Sequence, residues 1–371
     1  MTILIFILIL SLLVLIHEFG HYITAKKSGV KVEEFGLGIP PRIFGKKIGE
    51  TLYSLNWLPF GGFVRLYGED SFDEKLLKDP HSFISKPWYK RLLIIVAGVV
   101  MNFLLAIFLY YIFFFYTGYK TFSMPLIFDH EFKFGREEKR NTVIMNILDT
   151  SPAFSSGLSL GDTILQVNGT TVSDASSIKA QVAKNYESVS VSVEKYPAGD
   201  LATYTFKPII SENGEPVLGV YLGKSIKLDY TGTKDKLMVG FLHSYNVLDY
   251  SMSSLKKVIG MSVSSGDISP VSESVSGPVG IYNIVGSILK YSKGNLLLSL
   301  IDFTAMLSLS LGFLNILPIP ALDGGRLLFI LIELLRGGKK VNQELEAKIH
   351  GIGMFLLLSL FVLITIKDIV L

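Results

Sequence analysis

The chain has 371 residues, 49% of them hydrophobic, and a mean hydropathy of +0.46, too apolar for an ordinary soluble protein. Long polar tracts interrupt the apolar runs, so the expected fold class is a multi-pass α-helical membrane protein with a soluble domain. The net charge of +3 gives no reason to expect a nucleic-acid partner, and the absence of cysteine excludes disulfides, thiol nucleophiles and cysteine-ligated metal, leaving His, Asp and Glu for any catalytic ion.

The first apolar run carries no charge over residues 1–16 and ends in His17-Glu18-Phe19-Gly20-His21. On a helix His17 and His21 lie four residues apart on one face, the spacing at which two imidazoles can share one Zn²⁺. Glu18 is placed to accept a proton from an activated water, as the H-E-x-x-H pattern requires. Ionisable side chains in a membrane helix cost on the order of 3 kcal/mol each, so three together point to function. Polar residues capping the helix at the interface are the alternative. No Lys or Arg precedes the run and no A-x-A site follows it, which predicts a retained span over residues 1–25 rather than a cleaved signal peptide.

Three further segments, 92–116, 296–317 and 349–371, are near the ~20 residues that a span needs. Residues 26–91 carry twelve Lys and Arg and residues 326–348 carry five. The positive-inside rule makes these two loops cytoplasmic, puts both termini and residues 117–295 outside, and sets His17 and His21 towards the cytoplasmic side. Within 26–80, Val30, Phe35, Leu37, Tyr53, Trp57 and Phe63 alternate with many Gly and Pro, which predicts strands and turns. Such a β-region could dip into the bilayer if protein covers its backbone, or form soluble hairpins. Residues 81–116 read as an interfacial segment entering the second span. Asn102 is the strongly polar side chain in the body of that span, suited to a helix–helix hydrogen bond or to a catalytic task.

No structure is predicted for 117–141. Residues 142–148 read as a strand, and S-P-A-x-x-x-G-L-x-x-G-D-x-I-x-x-x-N-G follows over 151–169. This pattern resembles the core of bacterial PDZ domains, with a short helix, a strand and a tight Asn-Gly turn. It implies an α/β domain over 142–226, with a groove helix at 176–184 and strands at 189–193, 204–208 and 217–222. PDZ domains take an extended peptide as an added strand; a steric plug that binds nothing is the alternative. Residues 234–291 are expected to hold amphipathic helices and a loop. Leu237, Phe241, Val247, Leu248 and Leu255 form the apolar side of 234–261, lying on the outer membrane surface or packed under the PDZ domain. A loop over 262–276 and an apolar helix over 282–291 flank Ser276-Gly277-Pro278-Val279-Gly280-Ile281. The third span, within 296–325, ends in Asn315-Ile316-Leu317-Pro318-Ile319-Pro320-Ala321-Leu322-Asp323-Gly324-Gly325. Asp323 offers the third ligand that leaves zinc one open position, unless it only caps a helix. Asn315 could donate to a substrate carbonyl or an oxyanion. A cytoplasmic loop, 326–348, and a fourth span, 349–371, complete the chain.

H-E-F-G-H, the PDZ core, S-G-P-V-G-I and N-x-L-P-x-P-x-L-D-G-G, in this order, resemble the site-2 protease family of intramembrane zinc metalloproteases, in its bacterial RseP-like branch. The resemblance implies one Zn²⁺ held by His17, His21 and Asp323, with Glu18 as general base. Asn315 becomes a substrate- or oxyanion-contacting residue, with Asn102 a second candidate. It also implies a membrane-reentrant sheet within 35–66 that holds the substrate as a strand, and a PDZ module that filters by size. The implied partners are the lipid bilayer and single-pass membrane proteins trimmed by an earlier cleavage, in the bacterial inner membrane. In three respects the chain departs from family habit: Val99 and Val100 follow Ala97-Gly98 where a Pro is common, Arg326 stands where a His is frequent, and a single PDZ pattern is present. A metal transporter using the same three ligands and an inactive PDZ scaffold are the rival readings.

Overall fold

The computed structural model describes residues 1–69, 74–148, 151–185, 187–196, 199–211, 214–291, 295–339 and 341–370. In chain order the elements begin with α1 (Thr2–Lys27), β1 (Val32–Ile48), β2 (Thr51–Leu66), α2 (Glu74–Lys78) and α3 (Trp88–Tyr116). Next come β3 (Met124–Leu126), β4 (Arg136–Ile147), α4 (Pro152–Ser156), β5 (Thr163–Val167), β6 (Thr170–Thr171), α5 (Ala175–Lys184), β7 (Val189–Glu194), β8 (Leu201–Phe206), β9 (Ile209–Ile210), β10 (Pro216–Val217) and β11 (Val220–Asp229). The chain closes with α6 (Thr233–Ser265), α7 (Ser269–Ser274), α8 (Pro278–Tyr291), α9 (Leu296–Ile316), α10 (Asp323–Leu335) and α11 (Gln343–Val370). Two compact units result, one of Met1–Phe108, Ser272–Tyr282 and Thr304–Leu371, the other of Leu109–Val271 and Asn283–Phe303.

Helices α1, α3, α9 and α11 are long and apolar enough to cross a bilayer. They correspond to the four predicted spans, and α3 is a continuous helix through Ala97-Gly98. In the first unit an apolar cluster of Ala25, Val32, Leu66, Ile94, Ile95 and Ile330 joins α1, the β-region, α3 and α10. The β-region is two long bent strands: residues 34–37 lie beside 52–55 on one side and beside 62–65 on the other. The segment 62–65 is therefore an outer strand, with no β partner on its far edge among the described residues. Tyr22 and Tyr53 hydroxyls 2.6 Å apart tie α1 to β2, and buried Glu34 accepts from Arg42 Nη2 at 2.9 Å.

Two predicted loops are corrected. Residues 326–348 were expected to be a cytoplasmic loop, but they open inside α10. The Gly-Gly pair reads as a turn signal, yet it serves close packing. A Cβ on Gly324 would lie 2.0 Å from the Leu317 carbonyl oxygen, and one on Gly325 would lie 2.6 Å from that of Ile319. Thirteen residues rising ~1.5 Å each are too short to cross a bilayer. Residues 262–276, also expected as a loop, contain the end of α6 and the short α7. Helix α8 starts at Pro278, where a missing N–H costs nothing, and Asp368 of α11 caps it by accepting from Gly277 N at 2.8 Å and Gly280 N at 3.0 Å.

The second unit is built on a seven-stranded sheet in the order β3-β11-β4-β5-β7-β8, with β6 paired to β5. Val189, Val191 and Val193 of β7 alternate inward onto Ile164, Val167 and Ile144. Helix α5 starts at an Asp174 capping box with Ser177 and buries Ile178 and Val182, one turn apart. Asn168 (φ +50°) and Gly169 (φ +76°) form the predicted turn. The Asn168 side chain donates to Gln181 O and accepts from Ser190 N, tying that turn to α5 and β7. Asp162 of the Gly-Asp pair is fully buried against Lys195 Nζ at 2.6 Å. The strand predicted at 142 begins at Arg136, and those predicted at 204–208 and 217–222 lie at Leu201–Phe206 and Val220–Asp229. Residues 117–141 contribute β3 to the edge of the sheet.

Helix α6 does not pack its predicted apolar side onto protein; its buried side mixes Val239 and Val258 with polar residues. Leu237, Phe241 and Leu255 of its apolar side are exposed, whereas His243, Ser244 and Asn246 are buried. The reason is a polar cluster inside an aromatic cage. His243 Nδ1 lies 3.1 Å from Tyr230 Oη, which accepts from Asn246 Nδ2 at 2.8 Å, and the rings of Tyr110 and Phe114 pack edge-on against the imidazole. Burial pushes the His243 pKa down to about 3. The unfolded chain therefore binds a proton between about pH 6.5 and pH 3 that the folded chain does not. Stability is full above pH 6.5 and falls towards pH 3, by up to about 1.4 kcal/mol per pH unit. Thermal melting against pH should show this slope, and His243→Phe should flatten it; an unchanged slope in the variant would exclude His243 as its source.

Candidate metal centre

Helix α1 places His17 and His21 on its α3-facing side, and α3 presents Gly98 to them. A Cβ on Gly98 would stand 2.3 Å from His21 Nε2 and 2.8 Å from His17 Cε1, so both rings occupy space that only a glycine leaves open. His21 Nδ1 donates to Ile94 O at 2.9 Å, which fixes the proton on Nδ1 and leaves a lone pair on Nε2. His17 Nδ1 lies 3.1 Å from the amide group of Asn102. Asn102 is fully buried, and its Oδ1 otherwise has no hydrogen-bond partner. Exchanging the two ends of that amide lets Oδ1 accept from Nδ1–H, satisfies both atoms, and gives His17 the same tautomer as His21.

Asp323 opens α10 and brings Oδ2 to 3.0 Å from His17 Nε2 and 3.3 Å from His21 Nε2, while the two Nε2 atoms are 3.2 Å apart. A tetrahedral ion with bonds of about 2.0–2.1 Å has ligand–ligand edges of roughly 3.3 Å, so the spacing fits zinc. The chemistry agrees: with both rings protonated at Nδ1, two lone pairs and a buried carboxylate oxygen without a donor face one another. A metal cation between them removes that repulsion, as a proton on one Nε2 also would.

Glu18 shares a cavity of about 610 Å³ with these residues, walled by Phe63 and Val64 of β2 on one side and by Arg326 and His350 on the other. The β2 backbone passes close by: a Cβ on Gly62 would meet Glu18 Cγ at 3.5 Å. Asn315 Nδ2 is 3.5 Å from His17 Nε2. His17, Glu18, His21, Asn315 and Asp323 are thus gathered in one place. Asn102 belongs to the same cluster but stands behind His17 rather than among the residues of the cavity wall.

Sequence reasoning missed several neighbours. Arg326, one turn after Asp323, pairs with Glu69 beyond β2. Arg91 Nη2 donates to both Glu333 carboxylate oxygens at 2.6 Å, pinning α10 to α3 with both side chains buried. His350 on α11 accepts from Ala321 N at 2.9 Å. Arg326 registers in the sequence only as a departure after Asp-Gly-Gly, and Glu69, Arg91, Glu333 and His350 lie in no recognisable motif.

Comparison with known proteins gives the chain its relatives. The model of Peptidase family M50 matches residues 5–360. A Fusobacterium nucleatum protein whose name assigns it to the zinc metalloproteases is 32% identical over 100% of this chain and 98% of its own length. Zinc metalloprotease RasP of Shouchella clausii is 28% identical over 99% of this chain and 98% of its own. Among solved structures, the PDZ domain of the SdrC-like protein from Listeria monocytogenes aligns with 22% of this chain and 86% of its own, at 19% identity and a TM-score of 0.20. With a family match across nearly its whole length, the chain belongs to Peptidase family M50, the site-2 proteases, and is a membrane-associated zinc metalloprotease.

Proposed function

We propose that the chain cleaves peptide bonds within or near the transmembrane segments of single-pass membrane proteins, in a bacterial inner membrane. The observation that carries this reading is the convergence of His17, His21 and Asp323 beside Glu18, at the end of an apolar helix and next to an unpaired strand edge. Four helices cross the bilayer in this reading, with the basic 26–91 segment and the α10–α11 connection cytoplasmic and the PDZ-like sheet outside. The PDZ assignment is supported by the 151–169 pattern, the Asn168-Gly169 turn and helix α5.

A transmembrane helix bonds its carbonyls internally and excludes water, so cutting it requires local unwinding and a docking edge. The free edge of residues 62–65 offers that edge, holding the substrate extended beside Glu18. Zinc, when bound, supplies Lewis acidity and water that ionises near pH 7. The Glu18 carboxylate accepts the proton of the attacking water and returns it to the departing amine. Asn315 donates to the developing oxyanion. Asn102 and Ile94 O orient His17 and His21 and do not touch substrate. A transporter or an inert scaffold would have no use for Glu18 or for the strand edge.

The outer domain acts as a size filter. Purified protein in vesicles should cut a membrane-anchored reporter whose outer part has been trimmed to a short stub, and should leave uncut the same reporter with a folded outer domain. A zinc chelator should stop cleavage and added zinc should restore it. Equal cleavage of both reporters would remove the filter, and cleavage in the presence of chelator with no zinc left on the protein would remove the metal reading.

A further inference from the structure

Asp323 does not reach the histidines on a regular helix. It is carried there by the connection between α9 and α10, and that connection contains a residue in an unfavourable conformation. Ala321, two residues before Asp323, has φ +79°, in the left-handed region that side chains disfavour. Part of the turn is held internally, by Ile319 N to Leu317 O at 2.7 Å, Leu322 N to Ile319 O at 3.1 Å and Gly325 N to Leu322 O at 3.0 Å. The strained residue itself is held from outside: Ala321 N donates to His350 Nδ1 at 2.9 Å.

The contact fixes the state of His350. A backbone N–H can only donate, so Nδ1 is the unprotonated nitrogen and the ring hydrogen sits on Nε2. One turn further along α11, Gly353 lies against the same connection. A Cβ there would come within 2.4 Å of Pro320 Cβ and 2.6 Å of the Pro320 carbonyl oxygen. Phe329 of α10 packs on the His350 ring at 5.6 Å between centroids. Helix α11 thus grips the chain immediately before Asp323 with one polar and one steric contact. The polar contact is the directional one. Its Nε2 has no hydrogen-bond partner among the described residues, so the ring's one hydrogen bond is the one to Ala321.

We infer that His350 is a positioning residue for the metal centre: its Nδ1 holds Ala321 in the left-handed turn and thereby sets where the Asp323 carboxylate meets His17 and His21. This rests on the reading of Asp323 as a zinc ligand. It assigns a part in the site to a residue on α11, which supplies none of the ligands. His350 acts through Asp323 and takes no part in bond breaking.

Side chains that mimic each ring nitrogen separately test the idea on the full-length protein. His350→Asn keeps an acceptor oxygen near the position of Nδ1. His350→Gln keeps a polar group near Nε2 but no acceptor at Nδ1, and His350→Leu keeps neither. The readouts are zinc content after purification and the rate at which a chelating dye withdraws zinc, each beside a thermal melt. His350→Gln and His350→Leu should lose zinc on the order of 10–100-fold faster than the unaltered protein, as when an orienting partner of a ligand is removed. His350→Asn should stay within about threefold of it. A general packing role would lower the melting temperature of all three without this ordering. The inference is overturned if His350→Leu holds zinc as firmly as the unaltered protein, or if His350→Asn fails as badly as His350→Leu. Asp323→Asn, run alongside, separates the two levels. If it loses zinc while His350→Leu does not, only the role of His350 falls. If it retains zinc, the ligand assignment falls and takes the role of His350 with it.

Discussion

Glu18→Gln protein should bind about one zinc per chain and fail to cut. The substitution keeps the size of the side chain and removes only its ability to take a proton, so loss of a general base should lower turnover by about 10²–10⁴-fold. None of the close spacings among His17, His21 and Asp323 involves Glu18, so on the proposed ligand set zinc content should not move. The measurement is cleavage of a membrane-anchored reporter in vesicles beside metal analysis of the same sample. Turnover within tenfold of the unaltered enzyme would remove Glu18 as the base; loss of zinc would mean that it supports the ion instead.

The second large effect comes from a residue with no side chain. Two considerations about Gly98→Ala point in opposite directions. Alanine is the better helix former by about 1 kcal/mol, and position 98 lies in the interior of α3, so propensity alone predicts a slightly more stable protein. The added methyl, however, would sit 2.3 Å from His21 Nε2 and 2.8 Å from a carbon of each ring. Both rings would have to move, against the hydrogen bonds to Ile94 O and Asn102 that fix them. Steric exclusion at such distances outweighs a propensity gain of that size. Gly98→Ala should therefore purify as a folded protein with zinc affinity lowered by at least about 10–100-fold and with cleavage lost in parallel. Near-normal zinc binding would show that α1 and α3 can separate enough to admit the methyl, and that the cradle is softer than the distances imply.

Much of the candidate site was legible because its chemistry obeys local rules. His17, Glu18 and His21 follow from helical spacing, and Asp323 from an acidic residue in a Pro- and Gly-rich membrane boundary on the same predicted side. What supports them was not legible, for different reasons at different residues. Gly98 registers in the sequence only as a glycine inside an apolar helix, since what it must avoid lies on α1. His350 sits at the start of the predicted fourth span, and its partner is a backbone amide, which carries no residue code. Helix α10 was hidden by Gly324-Gly325, where close packing against the Leu317 and Ile319 carbonyls and turn formation demand the same residue. His243 marks a third limit. An amphipathic pattern says which face of α6 is apolar, but the buried face is decided by Tyr230, whose hydroxyl meets both His243 and Asn246. The PDZ-like core was plainer, because Asn168-Gly169 and the alternating valines of β7 are local signals.

The arrival of Asp323 on α10 also sets a clock. A ribosome adds roughly 5–20 residues per second, so about three hundred residues separate the first half of the site from the second by roughly 15–60 seconds of synthesis. On the proposed ligand set, a nascent chain with α1 already in place holds two imidazoles and a base but lacks the carboxylate until Asp323, late in the chain, has been made. In this scheme the order of translation keeps the two halves of the site apart.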